Sequence, residues 1–122
     1  MDEQLNKYSY KSLNVYQDAK ILVVSVYRLL KQFPAEERYA LCDQLRRSSI
    51  SITSNIAEGV NRFSLKEKLH FIEISFASLM EVSSQFEIAE DLGYISTDER
   101  LSVDVLIEEI ARLLSGLRKS FK

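Results

Sequence analysis

Apolar side chains recur along this chain at alternating spacings of three and four, the signature of helices that each bury one stripe. Val15, Ala19, Leu22, Val26, Leu29 and Phe33 form the first stripe, with Asn14 placed to cap the helix. Phe33-Pro34 ends it, because a residue before proline is pushed out of the helical region. Pro34 suits the first position of the next helix, and Glu36 and Glu37 fall where the helix dipole favours carboxylates. That second helix is predicted from about Ala35 to about Val60, with Leu41, Leu45, Ser48, Ile52 and Ile56 inside. After a break at GVNRF, Ser64 and Glu67 have the spacing of a capping box. Leu65, Leu69, Ile72, Phe76, Leu79, Ser83 and Phe86 then define a third helix, which Gly93 ends as a left-handed residue. Ser96 and Glu99 offer a second capping box, and Val103, Leu106, Ile110, Leu113 and Leu117 line a fourth helix. Arg118, Lys119 and Lys122 close it, as the dipole prefers.

Four amphipathic helices with short connections predict an all-α fold, an antiparallel up-down-up-down four-helix bundle formed as one domain by residues 13–122. Residues 1–12 are expected to be extended or disordered, with Tyr8, Tyr10 and Leu13 folding back onto the bundle.

One stretch departs from the pattern. LRRSSISITSNIAEGVNRFS, Leu45 to Ser64, alternates locally with a period of two, which is a strand signal. At about 100° per residue from Leu41, however, Leu45, Ser48, Ile52, Ile56 and Gly59 stay within about 60° of one side. Ile50 and Ala57 land about 160–180° away, with Thr53 and Ser54 beside them. The stretch reads as a helix with two faces to bury, and Ile50, Thr53, Ser54 and Ala57 are candidate oligomer-interface residues. Two plainer readings stay open. Ile50 is a singly exposed apolar residue, or the serines permit close helix approach within one subunit.

Composition narrows the class. Three glycines and one proline in 122 residues disfavour an all-β fold, which needs frequent turns. A single cysteine, Cys42, excludes an internal disulfide and a Cys-rich zinc site, and fits a reducing cytoplasm. No run of about 18 apolar residues predicts a membrane span, and the polar, acidic N-terminus lacks a signal-peptide pattern. The net charge of −2 is unevenly spread. Residues 1–72 hold 11 Lys/Arg against 8 Asp/Glu, residues 73–109 hold 10 acids and one base, and residues 110–122 hold four bases and no acid. Either separate basic and acidic surfaces follow, or these are the ordinary solvated faces of amphipathic helices.

Candidate chemistry is sparse. Glu67-Lys-Leu-His70 is one Glu-x-x-His motif where a di-iron bundle needs two, and both side chains point about 140–200° away from the core stripe. Cys42 reads as a packing residue, and the isolated glycines form no phosphate loop. No catalytic residue, metal or cofactor is expected, and the chain is not read as an enzyme. The bases Arg46, Arg47, Arg62, Lys66 and Lys68 bracket the turn between the second and third helices and are candidate nucleic-acid contacts. Arg118, Lys119 and Lys122 are a rival basic site. With no Trp and no aromatic-rich motif in the cluster, binding is expected to be backbone-driven and sequence-tolerant. Glu58 and Arg62 form an i,i+4 pair that Arg47 can join, and Asn55 is placed to meet a neighbouring helix end. Asn55, Glu58 and Gly59 read structurally, lying where the helix ends and turns.

LNVYQDA (13–19), FPAEERYAL (33–41), QLRRSSISITSNIAEG (44–59), the R-F-S-x-x-E of 62–67 and DLGYI (91–95) together resemble the 23S rRNA-intervening-sequence proteins, over roughly Tyr10 to Lys119. That family usually has Trp where this chain has Tyr16, and Ala-Ala where it has Ser48-Ser49, both size-tolerant packing positions. The resemblance implies a four-helix bundle assembled as a ring-like homopentamer in the bacterial cytoplasm. A bundle of similar architecture, the accessory protein of diversity-generating retroelements, pairs with a reverse transcriptase and nucleic acid. The expected function is a non-catalytic oligomer associated with RNA or DNA. The alternative is an interaction scaffold whose acidic helices recruit a basic partner such as a reverse transcriptase, and a pI near 5.5 keeps that alternative close.

Overall fold

A computed structural model describes residues 10–121. Helices α1 (Asn14–Leu30), α2 (Leu41–Val60), α3 (Leu65–Asp91) and α4 (Thr97–Ser120) carry the fold, with 3₁₀ turns at Tyr10–Ser12 and Ala35–Glu37. Each long helix packs on its two neighbours in the cyclic order α1, α2, α3, α4, leaving α1–α3 and α2–α4 as the diagonals. Short connections make neighbours antiparallel. Leu22, Leu45, Ile52, Leu79, Phe86 and Ile110 are wholly buried along the shared axis.

Helix ends are set by local chemistry. Ser64 accepts from the Glu67 amide at 3.1 Å, the forward half of a capping box. Ser96 and Glu99 complete both halves, at 3.1 and 2.9 Å. At the end of α3, Gly93 adopts φ +80°, and the amides of Gly93 and Tyr94 donate to Glu90 and Ala89 at 2.9 Å. These are the two bonds of a Schellman terminus, which needs a residue free of Cβ strain.

Several boundaries differ from expectation. Asn14 is the first residue of α1 rather than its cap, which falls on Leu13 without a side-chain bond. Tyr10–Ser12 form a turn instead of an extended tail: the Tyr10 ring sits edge-on to Tyr16 at 4.7 Å, and Gln17 Nε2 donates to the Lys11 carbonyl at 3.1 Å. Tyr8 and the rest of residues 1–9 lie outside the described residues, as does Lys122. The second long helix starts at Leu41, not near Ala35. The backbone breaks at Ala40, and beside the break the Glu37 carboxylate accepts from the Tyr94 hydroxyl at 2.8 Å and from the Leu41 amide at 3.4 Å. Phe33, buried against Tyr94 with ring centroids 5.3 Å apart, anchors the same corner. A tertiary junction overrides a helix-forming sequence there.

The α2–α3 seam resolves the alternation of serines and isoleucines. Ser48, Ser49, Ser75 and Ser78 are buried, Ser75 Oγ donates to the Ile52 carbonyl at 2.8 Å, and Ser51 and Ser78 share a hydrogen bond of 2.8 Å. Small side chains let these two helices approach closely, and at Gly59 the approach leaves little room for any side chain. A Cβ added there would lie 3.0 Å from Phe71 Cβ and 3.3 Å from Ile72 Cδ1. This close approach also rotates α3 relative to the expected stripe. Ile72, Ser75, Leu79, Val82, Phe86 and Ala89 face inward, while Phe76 is 37% exposed and Leu65 41%. In α4 the buried positions are Val103, Ile107, Ile110 and Leu114, with Leu106, Leu113 and Leu117 half-buried beside them.

Candidate nucleic-acid interface

The basic residues of the α2–α3 turn are held by an ordinary helix exit. The amides of Asn61 and Arg62 donate to Glu58 and Gly59 at 3.3 and 3.2 Å, so the chain leaves α2 in a tight turn. Arg62 then lies across the start of α3, its guanidinium 4.5 Å above the Phe71 ring and 3.4 Å from the Glu58 carboxylate. Lys66 is exposed one turn on, and Lys68 reaches toward the Phe121 ring with its ammonium 5.4 Å from the centroid.

That last contact joins two regions that looked like rivals. Phe121 follows directly on α4, so Arg118 and Lys119 share the end of the bundle with Arg62, Lys66 and Lys68. The 3₁₀ turn adds the exposed Lys11 to the same end, where Tyr10 lines a surface groove with Ala57, Glu58, Asn61, Arg62 and Phe63. Residues 10–20, 55–72 and 112–121, which build this end, hold eight bases and three acids. The opposite end, built from residues 28–47 and 81–104, holds six bases and ten acids. The bundle is electrically polarised along its axis.

Arg46 and Arg47 do not join the basic cluster. They stand near the start of α2, 16 residues or about 24 Å of helix from Arg62. Arg46 donates to the Arg38 carbonyl at 2.8 Å. Arg47 pairs with Asp43 at 3.1 Å, one turn back along its own helix, rather than with Glu58. Asn55 likewise bonds within α2, to the carbonyl and hydroxyl of Ser51 at 2.8 and 3.0 Å, and not to a neighbouring helix end. Of the proposed oligomer face, Ile50 is 42% exposed and Ser54 exposed, Ala57 is half-buried, and Thr53 is buried with its hydroxyl donating to Ile50 at 2.8 Å.

Phe63 is the residue that sequence reasoning passed over. It is fully exposed, at 104% of its reference area, between Arg62 and Lys66. The signal was present in R-F-S, an aromatic inside a polar turn flanked by bases. Its ring packs against no core side chain, and it stands bare beside the cations of the turn.

Groups with other chemistry stand apart. Glu67 and His70 are exposed on the outside of α3. Cys42 is buried near the start of α2, at the other end of the bundle from His70, and burial raises its thiol pKa. Among the described residues no group of three or more His, Cys, Asp or Glu is placed to hold a metal ion. No described helix is long and apolar enough to cross a membrane.

Comparison with known proteins agrees with this architecture. A family model described as "23S rRNA-intervening sequence protein" matches residues 11–116. A crystal structure of a protein of unknown function from the S23 ribosomal protein family of Bacteroides thetaiotaomicron is similar in fold, with a TM-score of 0.79 at 23% identity. The match covers 87% of this chain and 99% of that one. No curated protein matches the chain.

Proposed function

The chain belongs to the 23S rRNA-intervening sequence protein family, and from that footing we propose that it is a non-catalytic, self-associating bundle that binds RNA or DNA through its basic end. The observation that carries the reading is the convergence of Arg62, Lys66, Lys68, Arg118 and Lys119 from two separate stretches of chain. In this reading phosphate contacts supply most of the affinity, and Phe63 adds sequence-tolerant stacking on an unpaired base. Self-association, proposed as a homopentamer, multiplies the weak contacts of one copy into an avid surface. Arg46 and Arg47 lie at the other end and are assigned no part in it.

The test is fluorescence anisotropy of a labelled RNA across a salt series. Affinity should fall linearly with salt on logarithmic axes, with a slope of about −0.7 to −0.9 per phosphate contact. Lys66→Ala with Lys119→Ala should reduce that slope by about two contacts, while Arg38→Ala with Arg47→Ala at the opposite end leaves it unchanged. Absence of binding at low salt to both structured and single-stranded probes overturns the reading. A second reading would then lead, favoured by the ten acids at the opposite end: a scaffold that recruits a basic protein partner.

A further inference from the structure

The outer faces of α1 and α3 carry opposite charge around apolar centres. On α1, Ile21 and Val24 are 55% and 47% exposed, flanked by exposed Lys20, Arg28 and Lys31, and that stripe has no acid. On α3, Met80 and Ile88 are 41% and 49% exposed among exposed Glu73, Glu81, Glu87 and Asp91. No Lys or Arg occurs between Leu69 and Glu99. Because α1 and α3 are diagonal partners, the two faces look outward on opposite sides of the bundle, and neither covers the other within one chain. Both helices run in the same direction, so the stripes lie side by side in register when one copy is translated against the next. From Gln17 to Lys31 the α1 stripe is about 21 Å long, and from Glu73 to Asp91 the α3 stripe is about 27 Å.

We propose that the α1 face of one copy docks on the α3 face of the next, head to tail. Pairing either face with itself would bring like charges together, which disfavours a two-fold dimer. A heterologous contact instead propagates until rotation closes it into a ring. The inference rests on the self-association proposed above but places it on α1 and α3, not on the Ile50 strip of α2. That strip offers one exposed large apolar side chain among polar neighbours, against Ile21 and Val24 on α1 and Phe76, Met80 and Ile88 on α3.

The geometry gives a test that a two-fold interface cannot imitate. Val24→Asp disables only the α1 face and Met80→Asp only the α3 face. Both sites are nearly half exposed and lie off the core stripe, so helicity by circular dichroism should match wild type. Light scattering should show each variant alone as a monomer of 14.1 kDa. Mixed at equal concentration, the intact α1 face of the Met80 variant meets the intact α3 face of the Val24 variant, giving a capped heterodimer of about 28 kDa, twice the 14.1 kDa chain. Variants that assemble like wild type, or that stay monomeric when mixed, overturn the proposal. Assembly that survives both but is lost with Ile50→Asp returns the interface to α2 and leaves self-association standing. A monomeric wild type removes self-association as well.

Discussion

Gly59 shows how one side chain sets the distance between two helices. Alanine in place of glycine raises helix propensity by about 1 kcal/mol. Here the added carbon would sit 3.0 Å from Phe71 Cβ, an atom fixed to the α3 backbone that cannot swing aside. Overpacking of this kind costs about 1–3 kcal/mol, so Gly59→Ala should lower stability by up to about 2 kcal/mol net, read from urea unfolding midpoints. An unchanged or raised midpoint would mean that the seam can widen freely. Ser49→Ala is the contrast, because that hydroxyl bonds only to the Arg46 carbonyl of its own helix, at 3.1 Å. It should stay within about 0.5 kcal/mol of wild type. At Phe63 stability and function should separate. Phe63→Ala leaves the unfolding midpoint in place but weakens binding to single-stranded RNA, by about 5- to 150-fold if the ring carries one stacked base at about 1–3 kcal/mol. Equal affinity for both proteins would reduce the interface to phosphate contacts alone.

Among the elements, the joint between α3 and α4 is fastened by charge. Arg100 bridges Glu90 and Asp104, and Thr97 donates to Glu90 at 2.6 Å. The Thr97 bond, followed by Arg100, holds the Glu90 carboxyl below its ordinary pKa of 4.5, and a bond from Gln32 does the same for Glu99. A carboxylate whose pKa is lowered on folding contributes stability that is fully present above its unfolded value and is lost as pH falls through the folded one. Melting temperature should therefore drop as pH falls below about 4.5, and Glu90→Gln should flatten that drop while lowering the melting temperature at neutral pH. A variant with the same acid dependence as wild type would remove Glu90 from the cause. These elements were unequally legible in the sequence. Most of the α1 stripe follows hydrophobicity and emerges from spacing alone, as do Leu45, Ile52 and Ile56 of α2, while Leu29 and Leu41 are only half-buried. The phase of α3 does not, because its seam selects Ser75 and Ser78 for size, and a pattern scored by hydrophobicity turns Phe76 inward instead. Residues 35–40 were equally opaque, since the corner they form is tied to Tyr94, 57 positions beyond Glu37.

Across the whole molecule, the basic cluster was half visible in the sequence. Arg62, Lys66 and Lys68 are neighbours in the chain and could be grouped on sight. Arg118 and Lys119 join them only because α4 runs antiparallel to α3, and Arg46 and Arg47 leave them only because a helix of 20 residues keeps its two ends apart. The same topology gathers the acids of late α3 and early α4 at the far end, so the bundle's two ends should behave differently toward a polyanion. Light scattering of the wild type should give about 70 kDa if five 14.1 kDa chains assemble, and copies joined α1 to α3 would point their basic ends the same way. The polarity is tested most directly by hydrogen–deuterium exchange with and without a single-stranded RNA at low salt. Slowed exchange is expected at residues 61–68 and 116–121, with residues 36–47 unchanged. Protection concentrated at residues 36–47, or spread evenly along the bundle, would contradict a nucleic-acid interface at the basic end.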